Sequence, residues 1–157
     1  MKVIWEIKNP NGEVVARGEH DKLATKNFVR LLAKIFTAQY TTLVTKDGGT
    51  FSGTNFKIGV ADGYVELGRG AVSPTRDDYK LSGEVIASGD VSVSIDETNA
   101  IVTIGFAWTA TTDTVVNEVG LYARPEADVL LDRFLLGQTV TAGQTLSIAW
   151  IINLGGL

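Results

Sequence analysis

A chain of 157 residues, 45% hydrophobic and 20% charged, has the length and composition of one globular domain (residues 1–157) rather than a disordered segment. It contains no cysteine, which excludes a disulfide framework, a thiolate metal site and a cysteine nucleophile; the net charge of −4 argues against nucleic-acid binding through a basic surface. That charge is uneven. Residues 1–36 carry Lys2, Lys8, Arg17, Lys22, Lys26, Arg30 and Lys34 against Glu6, Glu13, Glu19 and Asp21, a net +3 that leaves −7 on the remainder. Such polarity suits either a solvated surface or head-to-tail contact between identical chains.

The first residues, Met1 to Lys8, alternate in polarity and carry Glu6 early, unlike the apolar region of a signal peptide. Residues 1–20 read as a β-hairpin: Val3–Ile7 and Glu13–Arg17 flank Asn9-Pro10-Asn11-Gly12, whose Pro and Asn-Gly supply the fixed and positive φ of a tight reversal. An isolated hairpin is marginal in water, so this one must dock on the body or on another chain.

Residues 21–37 predict one amphipathic helix, with Phe28, Leu31, Leu32, Ile35 and Phe36 in an apolar stripe and Asp21 or Thr25 as N-cap. Lys22, Lys26, Arg30 and Lys34 recur at four-residue spacing as a basic ridge, either a solvated face or a surface for an acidic neighbour. Residues 41–54, rich in Thr, Gly and Ser, predict a loop or short ribbon. Strands are then expected at 55–60, 81–86, 91–95, 100–108, 115–123, 129–136 and 145–154, with 61–78 as a long connection containing Pro74. The expected fold is mainly β: an antiparallel, jelly-roll-like sandwich built by residues 55–154, with the helix and hairpin preceding it.

Residues suited to chemistry are few. His20, the lone histidine, lacks an evident nucleophile and reads as a surface residue near a helix cap. No Gly-x-Ser-x-Gly elbow and no phosphate-binding glycine loop occurs. The acid pairs Asp77-Asp78 and Asp96-Glu97 have ready explanations as loop and turn residues, and neither these nor Glu126 with Asp128 match a calcium loop. Accordingly no catalytic, metal or cofactor residue is assigned, and no enzymatic activity is expected. No apolar run approaches the roughly 20 residues that span a bilayer, so membrane insertion is not expected. Trp108 and Trp150 fall in the most apolar strands and read as core, whereas Trp5 and Tyr64 are the aromatics open to a binding role.

The order of segments over residues 24–154 resembles a domain of phage tail-fibre and collar-type proteins and of small virion proteins of some archaeal viruses. The resemblance rests on the helix segment 27–34, the strand Phe56–Gly63 and the loop Val72-Ser73-Pro74-Thr75-Arg76-Asp77-Asp78-Tyr79-Lys80-Leu81. It continues through Asn117-Glu118-Val119-Gly120-Leu121-Tyr122, Leu130-Leu131-Asp132-Arg133-Phe134 and Thr139–Ile148. It implies a non-enzymatic structural protein of a virus particle, made in the host cytoplasm without a signal peptide and located in the virion. Its partners would be copies of itself, in a fibre, tail or capsid-associated homo-oligomer or filament, and other virion proteins. The hairpin, which departs from the pattern, is the first candidate for strand exchange between subunits, and the C-terminal strand is the second. The subunit-contact candidates are therefore Val3, Trp5, Ile7, Lys22, Lys26, Arg30 and Lys34. The alternative is a module that binds a host surface glycan or receptor through an aromatic platform containing Trp5 or Tyr64.

Overall fold

The computed structural model describes residues 1–21, 25–30, 42–51, 63–123 and 128–155. Eleven strands lie among them: β1 (Lys2–Lys8), β2 (Val14–Asp21), β3 (Leu43–Val44), β4 (Thr50–Phe51), β5 (Gly63–Gly68), β6 (Val85–Asp90), β7 (Ser92–Asp96), β8 (Ile101–Thr109), β9 (Thr114–Ala123), β10 (Val129–Val140) and β11 (Thr145–Asn153). They form a five-stranded sheet of order β2-β1-β11-β8-β7, a four-stranded sheet of order β10-β9-β5-β6, and the ribbon β3-β4. All pairings are antiparallel. The chain crosses between the two large sheets after β6, β8 and β10, so consecutive strands supply both halves of one core.

Period-two alternation decides which side chains enter that core. Val3, Trp5 and Ile7 of β1 and Leu146, Ile148 and Trp150 of β11 are buried, while Lys2, Glu6 and Lys8 face outward. Val65 and Leu67 of β5, Val119 and Leu121 of β9 and Phe134 of β10 pack from the other sheet into the same cluster. Trp150 has no exposed surface, and its ring meets Phe134 edge-on at 6.2 Å between centroids.

The expected hairpin is present. Asn9 N donates to Glu13 O and Gly12 N to Asn9 O, both at 2.9 Å, and Gly12 takes a φ of 87°. It docks on this chain's own body: β1 lies between β2 and β11, in register with β11 from Lys2↔Ile151 to Lys8↔Thr145. Opposite Trp5 in β2 stands Gly18, where a Cβ would lie 2.7 Å from the indole; the missing side chain gives the ring its place.

Four expectations are corrected. Residues 63–68, expected within a long connection, form β5, an inner strand of the four-stranded sheet and buried along its whole length. Both faces of β5 are covered, so its sequence lacks the alternation that marks a half-exposed strand. Leu81 belongs to a loop, and the strand expected at 81–86 begins at Val85. His20 lies on β2 rather than at a helix cap, half-buried, with its ring 5.4 Å from that of Phe134. Asp21 ends the same strand, leaving Thr25 as the N-cap: its Oγ1 accepts a 3.2 Å hydrogen bond from Phe28 N. Residues 26–30 are helical, with Phe28 buried and Val29 exposed. The rest of the helix expected over 21–37, including Leu31, Leu32, Lys34, Ile35 and Phe36, lies outside the described residues, as do Lys22, the strand expected at 55–60 and Glu126.

Candidate functional site

Glu118 and Arg133, two buried charged residues, meet on the outer face of the four-stranded sheet, beneath residues 69–83. Glu118 on β9 is fully buried. Its carboxylate accepts hydrogen bonds from Gly70 N (2.9 Å), Ser82 N (3.0 Å), Ser82 Oγ (3.0 Å), Gly83 N (2.8 Å) and Arg133 Nε (2.8 Å). Arg133, itself buried, directs Nη1 to Asp78 and Nη2 to the Val72 carbonyl. Asp78 in turn accepts from Thr75 N and Thr75 Oγ1, each at 2.8 Å. A buried ion pair is stable only when its remaining lone pairs and protons are satisfied, and here the loop backbone supplies the partners.

The local backbone explains how these side chains meet. Along β10 the register with β9 shifts between Leu130 and Asp132. Leu130 and Arg133 therefore face the loop, while Asp132 faces the core, where Trp150 Nε1 donates to it at 2.8 Å. A one-residue register change inverts the face of every following side chain. Without the shift Arg133 would enter the core and Asp132 would lie under the loop. Gly70 and Gly83 allow the loop to approach: a Cβ on Gly70 would lie 2.1 Å from Glu118 Oε1, and one on Gly83 would lie 2.4 Å from Gly70 N.

Electrostatics follow from these contacts. Burial pushes the Glu118 carboxyl upward, but donors from Ser82, Arg133 and Gly83 outweigh it and hold it below its ordinary value. Asp78 is likewise held low, its burial outweighed by Thr75 and Arg133. Beside this cluster Tyr122 stacks on Tyr64 with centroids 4.9 Å apart, and Lys46 sits over both rings at 5.3 and 5.9 Å while pairing with the buried Glu66. Tyr122 Oη accepts from Leu81 N at 3.1 Å. Burial and the neighbouring Glu66 raise the Tyr122 hydroxyl far above its ordinary pKa, so it stays neutral.

This arrangement fixes a loop. The Glu118 and Asp78 carboxylates are held by backbone N–H groups, the Ser82 and Thr75 hydroxyls and Arg133, and among the described residues no group of three or more His, Asp or Glu is placed to hold a metal ion. Above it, Val72, Thr75, Tyr79, Lys80 and Ser82 line a shallow open groove with Arg133 at its floor.

Among the described residues, the subunit-contact candidates do not form one patch. Val3, Trp5 and Ile7 point into this chain's own core, with Trp5 only 7% exposed. Lys26 pairs with Asp77 of the loop and Arg30 Nη1 donates to Thr42 O at 3.2 Å; Lys22 and Lys34 lie outside the described residues. Tyr64, the other aromatic of the glycan alternative, is 5% exposed. Glu118 and Arg133 were not singled out as site residues by sequence reasoning, although both lie in segments that carry the resemblance. Their signal was a charged residue inside an apolar strand, which marks a paired group when the strand is buried.

No protein-family model matches the chain, no curated protein matches it in sequence, and no solved structure matches it.

Proposed function

We propose that this protein is a non-enzymatic structural subunit of a virus particle that assembles with copies of itself into a fibre, tail or capsid-associated oligomer. One observation carries the reading. The Ser-Pro loop, the Asn117–Tyr122 segment and the Leu130–Phe134 segment, which the resemblance names separately, are joined by Glu118, Arg133 and Tyr122 into a single cluster. Segments whose order resembles a virion domain thus support one another in three dimensions, and the buried polar groups brace a surface loop rather than line a reaction site. Jelly-roll-like closure of the sandwich and continuation of the amphipathic helix past residue 30 belong to the same reading.

In this reading strand exchange takes the form of a swap. A hairpin leaving one copy would rebuild the same β1–β11 ladder in its neighbour, with Val3, Trp5 and Ile7 filling the equivalent core. Because β1 lies between β2 and β11 in the folded sheet, the test needs the whole chain. The test is sedimentation and negative-stain microscopy of the intact chain at micromolar concentration. Regular homomeric particles without added ligand are expected; a monomer at every concentration overturns the proposal.

A further inference from the structure

Resting on the self-assembly reading above, we infer that the outer edge of β7 is a two-fold contact, at which a second copy of this chain adds its own β7 antiparallel to the first. The four edge strands of the two large sheets differ in how they are guarded. The β2 edge carries Arg17, Glu19 and Asp21, and its pairing with β1 shifts register at Ile7/Lys8. The β10 edge carries two register shifts, and Thr25 Oγ1 and N engage its carbonyls at Leu130 and Leu131. The β6 ladder shifts at Leu67/Gly68. Among the described residues only β7, Ser92-Val93-Ser94-Ile95-Asp96, keeps an unbroken ladder with its neighbour, and it holds no Lys, Pro or bulge. Such an edge is a ready template for another strand.

The sequence of this edge is complementary to itself. Centring an antiparallel pair on Ser94 sets Ser92 opposite Asp96, Val93 opposite Ile95 and Ser94 opposite its symmetry mate. The apolar pair falls on the face that continues the core, since Val93 lies in register with the buried Ile104. The hydroxyls and Asp96 share the outer face, with no like charges opposed. Neighbouring registers are worse: centring on Val93 opposes Asp96 to Asp90, and centring on Ile95 opposes Val93 to Glu97. Ile95, at 70%, is the most exposed large apolar side chain among the described residues, and this pairing covers it. A two-fold axis at Ser94 makes the contact closed, joining two five-stranded sheets into one of ten strands.

The test uses the full chain. Ile95→Lys places a guard charge on a side chain that the folded subunit leaves in solvent, so the circular dichroism spectrum and melting temperature should match wild type while self-association at this contact weakens roughly tenfold or more. Because the protein has no cysteine, Ser94→Cys reports the axis directly. On mild oxidation it should form a covalent dimer much faster than Arg17→Cys on the guarded β2 edge. An Ile95→Lys protein that assembles as wild type does, or a Ser94→Cys protein that cross-links no faster than the Arg17→Cys control, overturns this contact while leaving self-assembly intact. A wild-type chain that stays monomeric throughout overturns both.

Discussion

The two large sheets treat their outer faces in opposite ways. Over the four-stranded sheet, residues 69–83 lie clamped by Glu118, Arg133 and Tyr122, and β9 is buried on both faces from Glu118 to Ala123. Among the described residues the five-stranded sheet has no such cover: Ser92, Gly105, Ala107 and Ser147 floor an open depression, and Lys2–Glu19 and Lys8–Glu6 form surface ion pairs at 2.6 Å. One face owes its order to the buried Glu118–Arg133 pair and the loop groups that bond it; the other is held from beneath mainly by apolar packing, with the Trp150–Asp132 hydrogen bond within it. A charged group is costly to bury, so the covered face should be sensitive to single polar changes and to acid, while the open face should tolerate polar change.

The largest effect should come from Glu118→Ala, which leaves Arg133 buried without its main partner and strips acceptors from three loop N–H groups. A loss of about 3–5 kcal/mol is expected in denaturant unfolding at neutral pH. An effect as small as that of an outer-face change such as Ser147→Ala would erase the contrast between the faces.

Acid tests the same cluster without mutation. Glu118 and Asp78 have folded-state pKa values below their ordinary 4.5 and 3.8, so their contribution is fully present above those values. It is lost as pH falls below them toward the folded values, because the unfolded chain then binds more protons. Unfolding measured across this range should show stability dropping with acid, with a shallower slope in Glu118→Gln.

The core tryptophans give a finer comparison. Trp150 donates to Asp132, whereas buried Trp5 Nε1 has no hydrogen-bond partner among the described residues. Both Phe substitutions lose ring volume, but only Trp150→Phe removes a bond to a buried carboxylate. Its melting curve should show about 1.5–3 kcal/mol more destabilisation than that of Trp5→Phe. The smallest effect belongs to Thr25→Val, which loses the cap on Phe28 and the hydroxyl contact to β10. About 1–2 kcal/mol is expected, read as faster hydrogen exchange at residues 26–30 and along the start of β10.

Much of this architecture was legible in local pattern. The Asn9-Pro10-Asn11-Gly12 turn, the Asp96–Asn99 reversal and strands close to β7–β11 could be read from turn chemistry and alternation. The Asp96 carboxylate does hold Asn99, with Nδ2 at 2.7 Å and N at 3.1 Å. β5 was hidden because burial on both faces removes alternation, and its flanking glycines resemble loop punctuation. The cluster beneath the loop was hidden for another reason. Glu118 and Arg133 are fifteen residues apart, and nothing in the string shows that Ser82, Gly83 and Gly70 will meet one carboxylate.

The sequence by itself determined a β-rich chain, its hairpin, most of its strands and the apolar side chains that fill the core, because these depend on residues within a few positions of one another. Tertiary structure alone decided where the hairpin docks, since that depends on what lies across the sheet. It also decided the facing of Arg133. One register shift at Leu131 turns that guanidinium out of the core and toward Glu118, and a shift in pairing is a property of two strands together.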